Sequence, residues 1–188
     1  MYYLLPGILA FFFFYLYEIY TVTGKLPIFK PLFLLGSAQL LLATAAAIWA
    51  TVITVPPVPW RLLLCGSVAL GFFGLLLYAL FFAIPFSKTY LNTVDPAKKT
   101  VCRSGLYALC RHPGVLCFAG FYLFLWLALG GKLLFWQFLV YNALNLAYIL
   151  LQDHWSFPKA FADYADYQQQ TPFLIPNRES LRLCMDSF

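Results

Sequence analysis

Charge is what this sequence has least of. Only 10% of its 188 residues are Asp, Glu, Lys or Arg, while 63% are hydrophobic. Soluble domains carry about 25% charged residues. A domain this small keeps much of its surface exposed, and here there is too little polar surface to cover it. An ordinary water-soluble fold is therefore excluded, and the bilayer is the expected solvent. Histidine is nearly absent, and the five cysteines (Cys65, Cys102, Cys110, Cys117, Cys184) are scattered. They form no Cys-x-x-Cys pair and no Cys/His set at zinc spacing, so neither a metal site nor a disulfide framework is expected. No basic run interleaves with aromatics on a polar face, which argues against a nucleic-acid partner. The first apolar run lacks a basic leader and a small-residue cleavage site, so it is expected to be a retained helix, not a signal peptide.

What the chain does have is long apolar runs, and a spanning helix needs about 20 apolar residues. Five runs qualify, at about Tyr3–Tyr20, Pro31–Val55, Leu62–Phe86, Gly114–Leu129 and Leu133–Leu151. The expected fold is an all-α polytopic membrane protein with about five transmembrane helices. It is read as one membrane domain over 1–188, with a three-helix anchor in 1–86 and a loop, helical hairpin and tail in 87–176. Small residues at Ala43–Ala47 and at Gly66, Gly71 and Gly74 are expected to let helices approach closely. Gly130-Gly131-Lys132 allows only a tight hairpin turn. Glu18 is expected to be solvated at the membrane interface, and Gln152-Asp153-His154 to emerge into water. Phe157, Phe161 and Tyr164 fall at i, i+4 and i+7, which predicts one interfacial helix over Trp155–Gln170.

Ser87 to Pro113 is the longest polar segment. Ser104-Gly105 should break the chain before a short helical piece that ends at Arg111-His112-Pro113. The residue before a proline avoids helical geometry, so His112 is expected at a bend. The loop and the tail flank one helical hairpin and should meet at one membrane face. Such a place has a lipid-like floor and a polar, basic rim. It suits a reaction between a water-soluble donor and a membrane-bound acceptor. Arg111 and His112 also have a plainer reading, as basic residues that set topology or touch lipid headgroups.

Ser104-Gly105-Leu106-Tyr107, then Arg111-His112-Pro113, then the hairpin and Tyr164-Ala165-Asp166-Tyr167 resemble the isoprenylcysteine carboxyl methyltransferase family and the related phospholipid N-methyltransferases. The resemblance covers roughly Asn92 to Pro176. It implies an integral-membrane enzyme that uses S-adenosylmethionine on a lipophilic acceptor entering from the membrane. By position, the resemblance implies that Asn92, Lys99, Thr100, Val101, Cys102 and Tyr107 border the donor. It further implies that His112, Pro113, Gly114 and Val115 line it, and that Asp153 supplies the family's acid, with Gln152 at that position if the alignment shifts by one. No general base is implied. The chain departs from the pattern at Val115 and Cys117, where the family carries Tyr and Gly. At Ala147-Tyr148-Ile149 it lacks the arginine that recognises a carboxylate acceptor. Two alternatives follow: a non-catalytic membrane protein that retains the fold, or a sterol-reductase-like oxidoreductase using a nicotinamide cofactor. A transporter fits poorly, because polar residues within the spans are sparse and no inverted repeat is visible.

Cytoplasmic segments collect Lys and Arg. With the C-terminus inside, ten of the twelve basic residues fall on the inner side, and only Arg61 and Lys132 fall outside. The expected protein has its N-terminus out and its C-terminus in. Its site would lie on the cytoplasmic face of a bacterial inner membrane or of the endoplasmic reticulum. A membrane-impermeant amine reagent should label Lys132 only from the face opposite the tail, and labelling from the tail's face would reverse the topology.

Overall fold

A computed structural model describes residues 2–83 and 100–187. Among them every regular element is helical. Helix α1 spans Leu5–Thr23, α2 Leu32–Thr54 and α3 Pro59–Leu77, which runs on through a π-helical turn at Tyr78–Phe82. The short α4 (Leu106–Leu109) precedes α5 (Pro113–Leu129) and α6 (Lys132–Leu151). A second π-helical turn, Gln152–Ser156, carries α6 into α7 (Phe157–Ala160). Helices α8 (Tyr164–Gln170) and α9 (Arg178–Asp186) form the tail.

Among the described residues, four helical stretches are long and apolar enough to cross a membrane: Leu5–Thr23, Pro27–Thr54, Pro59–Phe82 and Lys132–Ala160. The remaining expected span, Pro113–Leu129, has 17 residues. That is about 26 Å at 1.5 Å per residue, slightly less than a hydrocarbon core of about 30 Å. The proline that starts it limits its length on one side and the Gly130-Gly131 turn on the other. Both turn glycines have positive φ, 74° and 81°, a conformation that side chains resist.

The chain packs as two compact units. The first comprises Met1–Gly71 and Ala119–Gln152. Here α1 lies along α2 and α6. The buried stripe of α2 is Gly36, Ala43, Thr44, Ala47 and Thr51, all small, while Leu34, Leu42, Trp49 and Ile53 point outward. Large side chains outside and small ones inside are what lipid-facing helices require, because packing rather than water exclusion drives their association. Ala43 and Ala47 therefore do as expected, although Ala45 and Ala46 face out. The α3 glycines do not: among the described residues nothing lies within 4 Å of a Cβ built at Gly71 or Gly74. A further apolar cluster joins Ala47 to Leu125, Ala128, Leu129 and Leu134.

Several polar groups within this unit bond across helices. Thr44 Oγ1 and Tyr122 OH share a hydrogen bond of 2.6 Å. Gln137 Nε2 donates to the Ala43 carbonyl and to Tyr141 OH, both at 3.3 Å. Tyr141 OH donates to the Tyr3 carbonyl. Arg61 donates from Nε and Nη2 to the Leu127 carbonyl at 3.0 and 2.5 Å, which satisfies an open carbonyl near the end of α5.

The second unit comprises Phe72–Phe118 and Asp153–Phe188. Helix α9 packs on α4, and Ser187 Oγ accepts the Gly105 N–H at 2.8 Å. Gly105 has φ 59° and ψ −133°, a region essentially reserved for glycine, so the break expected at Ser104-Gly105 has a backbone cause. Helix α9 opens with a reciprocal cap, Ser180 N–H to Asn177 Oδ1 and Asn177 N–H to Ser180 Oγ.

A Cβ at Gly7 would overlap the ring of Tyr141. Gly7→Ala should therefore destabilise the protein by about 1–3 kcal/mol, the usual cost of overpacking. Thermal unfolding in a non-ionic detergent would measure it, with Gly71→Ala near neutral as the control.

Candidate functional site

The polar centre of the second unit forms around the π-helical turn that follows α6. Its Asp153 is buried, at 2% exposure. A turn of this kind widens the helix, and such turns often occur at functional positions. Four side chains face the Asp153 carboxylate. Tyr164 OH donates to Oδ1 at 2.6 Å. His112 Nε2 lies 3.2 Å from the same oxygen, a contact that is attractive when Nε2 carries the hydrogen. Gln168 Nε2 donates to Oδ2 at 3.1 Å and to the Asp153 carbonyl at 3.0 Å. Arg111 Nε lies 3.4 Å from Oδ1, an ion-pair distance without hydrogen-bond alignment, and it has no hydrogen-bond partner.

Local sequence explains how these groups converge. Pro113 opens α5, and Cys110 before it is extended, so Arg111 and His112 sit on the bend between two helices. The Arg111 N–H donates to the Pro172 carbonyl at 2.9 Å, which ties the bend to the tail. His112 stacks on Phe157 at 5.9 Å and meets the edge of Phe173 at 5.2 Å. The Arg111 guanidinium lies over the Phe173 ring at 5.4 Å. On α8, Tyr164 and Gln168 are four residues apart and so share a face.

A second set of bonds joins the tail to the loop. Val101 N–H donates to Asp163 Oδ1 at 3.0 Å, and Arg103 pairs with Asp163 Oδ2 at 3.0 Å. Tyr167 OH donates to the Tyr107 carbonyl at 2.6 Å. Tyr107 OH donates to the Ala79 carbonyl in the π-helical turn after α3. Burial raises the Tyr164 phenol, and its bond to Asp153 raises it further. Burial likewise raises Tyr167. Both hydroxyls therefore stay protonated and act as donors at neutral pH. Burial pushes the Cys110 thiol up to about 11, so it stays a thiol and is no nucleophile there.

No family model, curated protein or solved structure matches the chain.

The residues named from sequence divide as follows. Val101, Cys102, Tyr107, His112, Pro113, Gly114, Val115 and Asp153 lie in the second unit, as does the exposed Thr100. Asn92 and Lys99 lie outside the described residues. Gln152 belongs to the first unit, where its amide donates to Glu18 Oε2 at 3.0 Å. Cys102 Sγ is directed at the Ala83 carbonyl at 3.8 Å. Three expectations need correction. Glu18 is not a solvated interfacial acid: it is buried, and its Oε2 accepts from Tyr148 OH at 2.7 Å and from Gln152 Nε2 at 3.0 Å. Asp153 does not emerge into water, because the helix continues to Ala160 and the tail covers the carboxylate. The stretch after Trp155 is not one helix but two short ones, α7 and α8, broken at Phe161–Asp163. Its apolar stripe survives the break, with Phe157 5.5 Å from Tyr164 and 5.8 Å from Phe161.

Arg111, Gln168 and Asp163 were not singled out as site residues by sequence. Arg111 stood in the motif, while Gln168 and Asp163 read as the polar side of an amphipathic helix. Among the described residues no group of three or more His, Cys, Asp or Glu side chains is arranged to hold a metal ion.

Tyr164→Phe removes one donor from a buried carboxylate while leaving the ring in place. It should cost about 1.5–3 kcal/mol, the range for a hydrogen bond to a charged group. The change in unfolding temperature in detergent would check this.

Proposed function

We propose that this chain is an integral-membrane methyltransferase that uses S-adenosylmethionine and acts on a lipophilic acceptor. One observation carries the reading: the Arg111-His112-Pro113 bend and the tail, read from sequence as two walls of one site, are bonded to each other around Asp153. The residues present fit such a donor in kind. It carries an ammonium, a carboxylate, a sulfonium and an aromatic base. Asp153 offers a buried anion, and Arg111 offers a guanidinium whose Nε has no hydrogen-bond partner. Tyr107, His112 and Phe173 offer ring surfaces, and the loop backbone around Val101 and Cys102 borders them in sequence.

When bound, the donor supplies a methyl group on a sulfonium, already a good leaving group. The protein's own part is then to bind, align and keep water away. Asp153 would hold positive charge in a buried setting, where charges interact more strongly than in water. Tyr164, Gln168 and His112 would fix the position of its carboxylate. Arg111, braced on Phe173, would face the donor's carboxylate. No residue is assigned as a general base. The acceptor is a protein C-terminal isoprenylcysteine carboxylate or a lipid- or isoprenoid-like molecule. The site is assigned to the cytoplasmic face of a bacterial inner membrane or of the endoplasmic reticulum.

One observation favours a second reading, a non-catalytic membrane protein that retains this arrangement. The protein's own side chains already occupy both oxygens of Asp153. In that case the network is a structural lock and nothing more. Titration calorimetry with S-adenosylmethionine on the detergent-solubilised protein separates the two. Under the methyltransferase reading the donor binds, and Arg111→Met weakens it by about tenfold or more, as expected for loss of a charge-assisted bond. Absence of both heat and thermal shift at saturating donor excludes that reading. Binding of a nicotinamide dinucleotide instead would favour the sterol-reductase-like alternative. Mass spectrometry of lipid extracts incubated with a labelled methyl donor would then identify the acceptor.

A further inference from the structure

Helix α9 keeps seven of its nine residues exposed and buries two, Ser180 and Cys184. Both buried side chains are small, so lifting α9 off would uncover little apolar surface. Its outer face carries Arg178, Glu179, Arg182 and Asp186, which water solvates whether or not α9 is docked. The reciprocal cap between Asn177 and Ser180 is made within the helix and survives such a release. Segments held by few buried apolar contacts are the ones that open locally.

What α9 packs on is α4, and α4 needs holding. It has four residues, far fewer than a helix needs to persist by itself. It starts from Gly105, whose backbone lies in a region that persists only where its surroundings fix it. The Gly105 N–H donates to Ser187 Oγ at 2.8 Å, and that hydroxyl donates in turn to the Cys184 carbonyl at 2.8 Å. The last turn of α9 therefore sets the acceptor in place. Within and just after α4, Ala108 and Cys110 are buried, at 5% and 0% exposure. The chain then runs directly into Arg111 and His112, which face Asp153. All of these residues belong to the second unit.

We infer that α9 is a releasable strap. Closed on α4, it holds the Arg111-His112 bend in place beside Asp153; released, it lets that bend loosen. The strap itself rests on the packing and bonds of α9 and α4. Its consequence for a ligand rests on the methyltransferase reading: a donor that binds the closed arrangement holds α9 shut, and α9 held shut favours the donor.

Residue-resolved amide hydrogen exchange in detergent micelles tests the strap. Asn177→Ala and Ser187→Ala change exposed side chains at opposite ends of α9. Each should raise exchange at the Arg111 amide about fivefold, the scale of one helix cap or one neutral hydrogen bond. Asn177→Ala should also raise exchange at Gly105, at the far end of α9, while the amides of α6 keep their rates. A purely local contact predicts a response at Gly105 in Ser187→Ala alone. A wild-type rate at Arg111 in either variant overturns the proposal, as does a uniform rise that includes α6. S-adenosylmethionine at about ten times its Kd should slow exchange at Gly105 about tenfold, as for a ligand that binds only the closed form. Heat of binding without that slowing overturns the coupling. Absence of any binding removes the methyltransferase reading and leaves the two variants to decide the strap.

Discussion

The buried carboxylate of Asp153 is the constraint on which the polar half of this protein depends. A charge removed from water is tolerated only when it is fully hydrogen-bonded or paired. Asp153 meets that condition with groups from the Arg111-His112 bend and from α8. Those groups are far apart in sequence, so the carboxylate cannot be satisfied until bend and tail have come together. Removing a single partner leaves the charge under-solvated. Replacing the whole set with apolar groups of the same shape costs far less. This asymmetry makes the network a specifier of geometry more than a source of net stability. The remaining links, Arg103 to Asp163 and Tyr167 to the Tyr107 carbonyl, hold the same two segments from the side. The first of these is partly exposed, and an exposed ion pair adds little energy. Its service is to set register, while the buried bonds supply the cohesion.

In the first unit the solvent problem is inverted. Lipid is as apolar as leucine, so burying leucine gains little, and contact quality decides which helices associate. Hence α2 turns Gly36, Ala43, Thr44, Ala47 and Thr51 inward and Leu34, Leu42, Trp49 and Ile53 outward. Gly36 shows the geometry at one point: a Cβ there would sit 3.0 Å from the Ala10 carbonyl and 2.9 Å from the Phe14 ring. Once backbones come this close, hydroxyls and amides on facing helices find one another. Thr44 with Tyr122, and the Gln137 amide with the Ala43 carbonyl, are the result.

The helical class was legible in the sequence because composition and run length state it directly. So was the break between α2 and α3, since Pro56, Pro57 and Pro59 leave few options. The short α4 before Arg111-His112-Pro113 was legible for the same kind of reason, a glycine at one side and a proline at the other. Acid residues near span ends were misread. Glu18 and Asp153 both lie where a helix was expected to meet water, and a charge there is ordinarily solvated. What buries them comes from elsewhere in the chain: Tyr148 for Glu18, and Tyr164 and Gln168 for Asp153. Periodicity reports which face of a segment is apolar and says nothing about which distant donor will meet a carboxylate. The two π-helical turns were equally invisible. An extra residue in a turn leaves no mark in a hydrophobic pattern that is apolar all round.

Arg111 is the group in the Asp153 cluster with room to change partners. The other donors are committed: Tyr164 at 2.6 Å, Gln168 to two oxygens, His112 wedged between Phe157 and Phe173. Arg111 holds its place through its backbone bond to Pro172 and its stacking on Phe173, while its Nε points near Oδ1 without closing a hydrogen bond. A guanidinium braced in this way can turn toward an incoming anion and still leave Asp153 with three donors. A purely structural lock would gain by closing that last bond. A site that must accept a ligand carrying both charges would keep it open, because an ammonium near Asp153 and a carboxylate near Arg111 require the two residues to be neighbours without being spent on each other. Under the proposed methyltransferase reading, that combination would separate a binding geometry from a brace in this cluster.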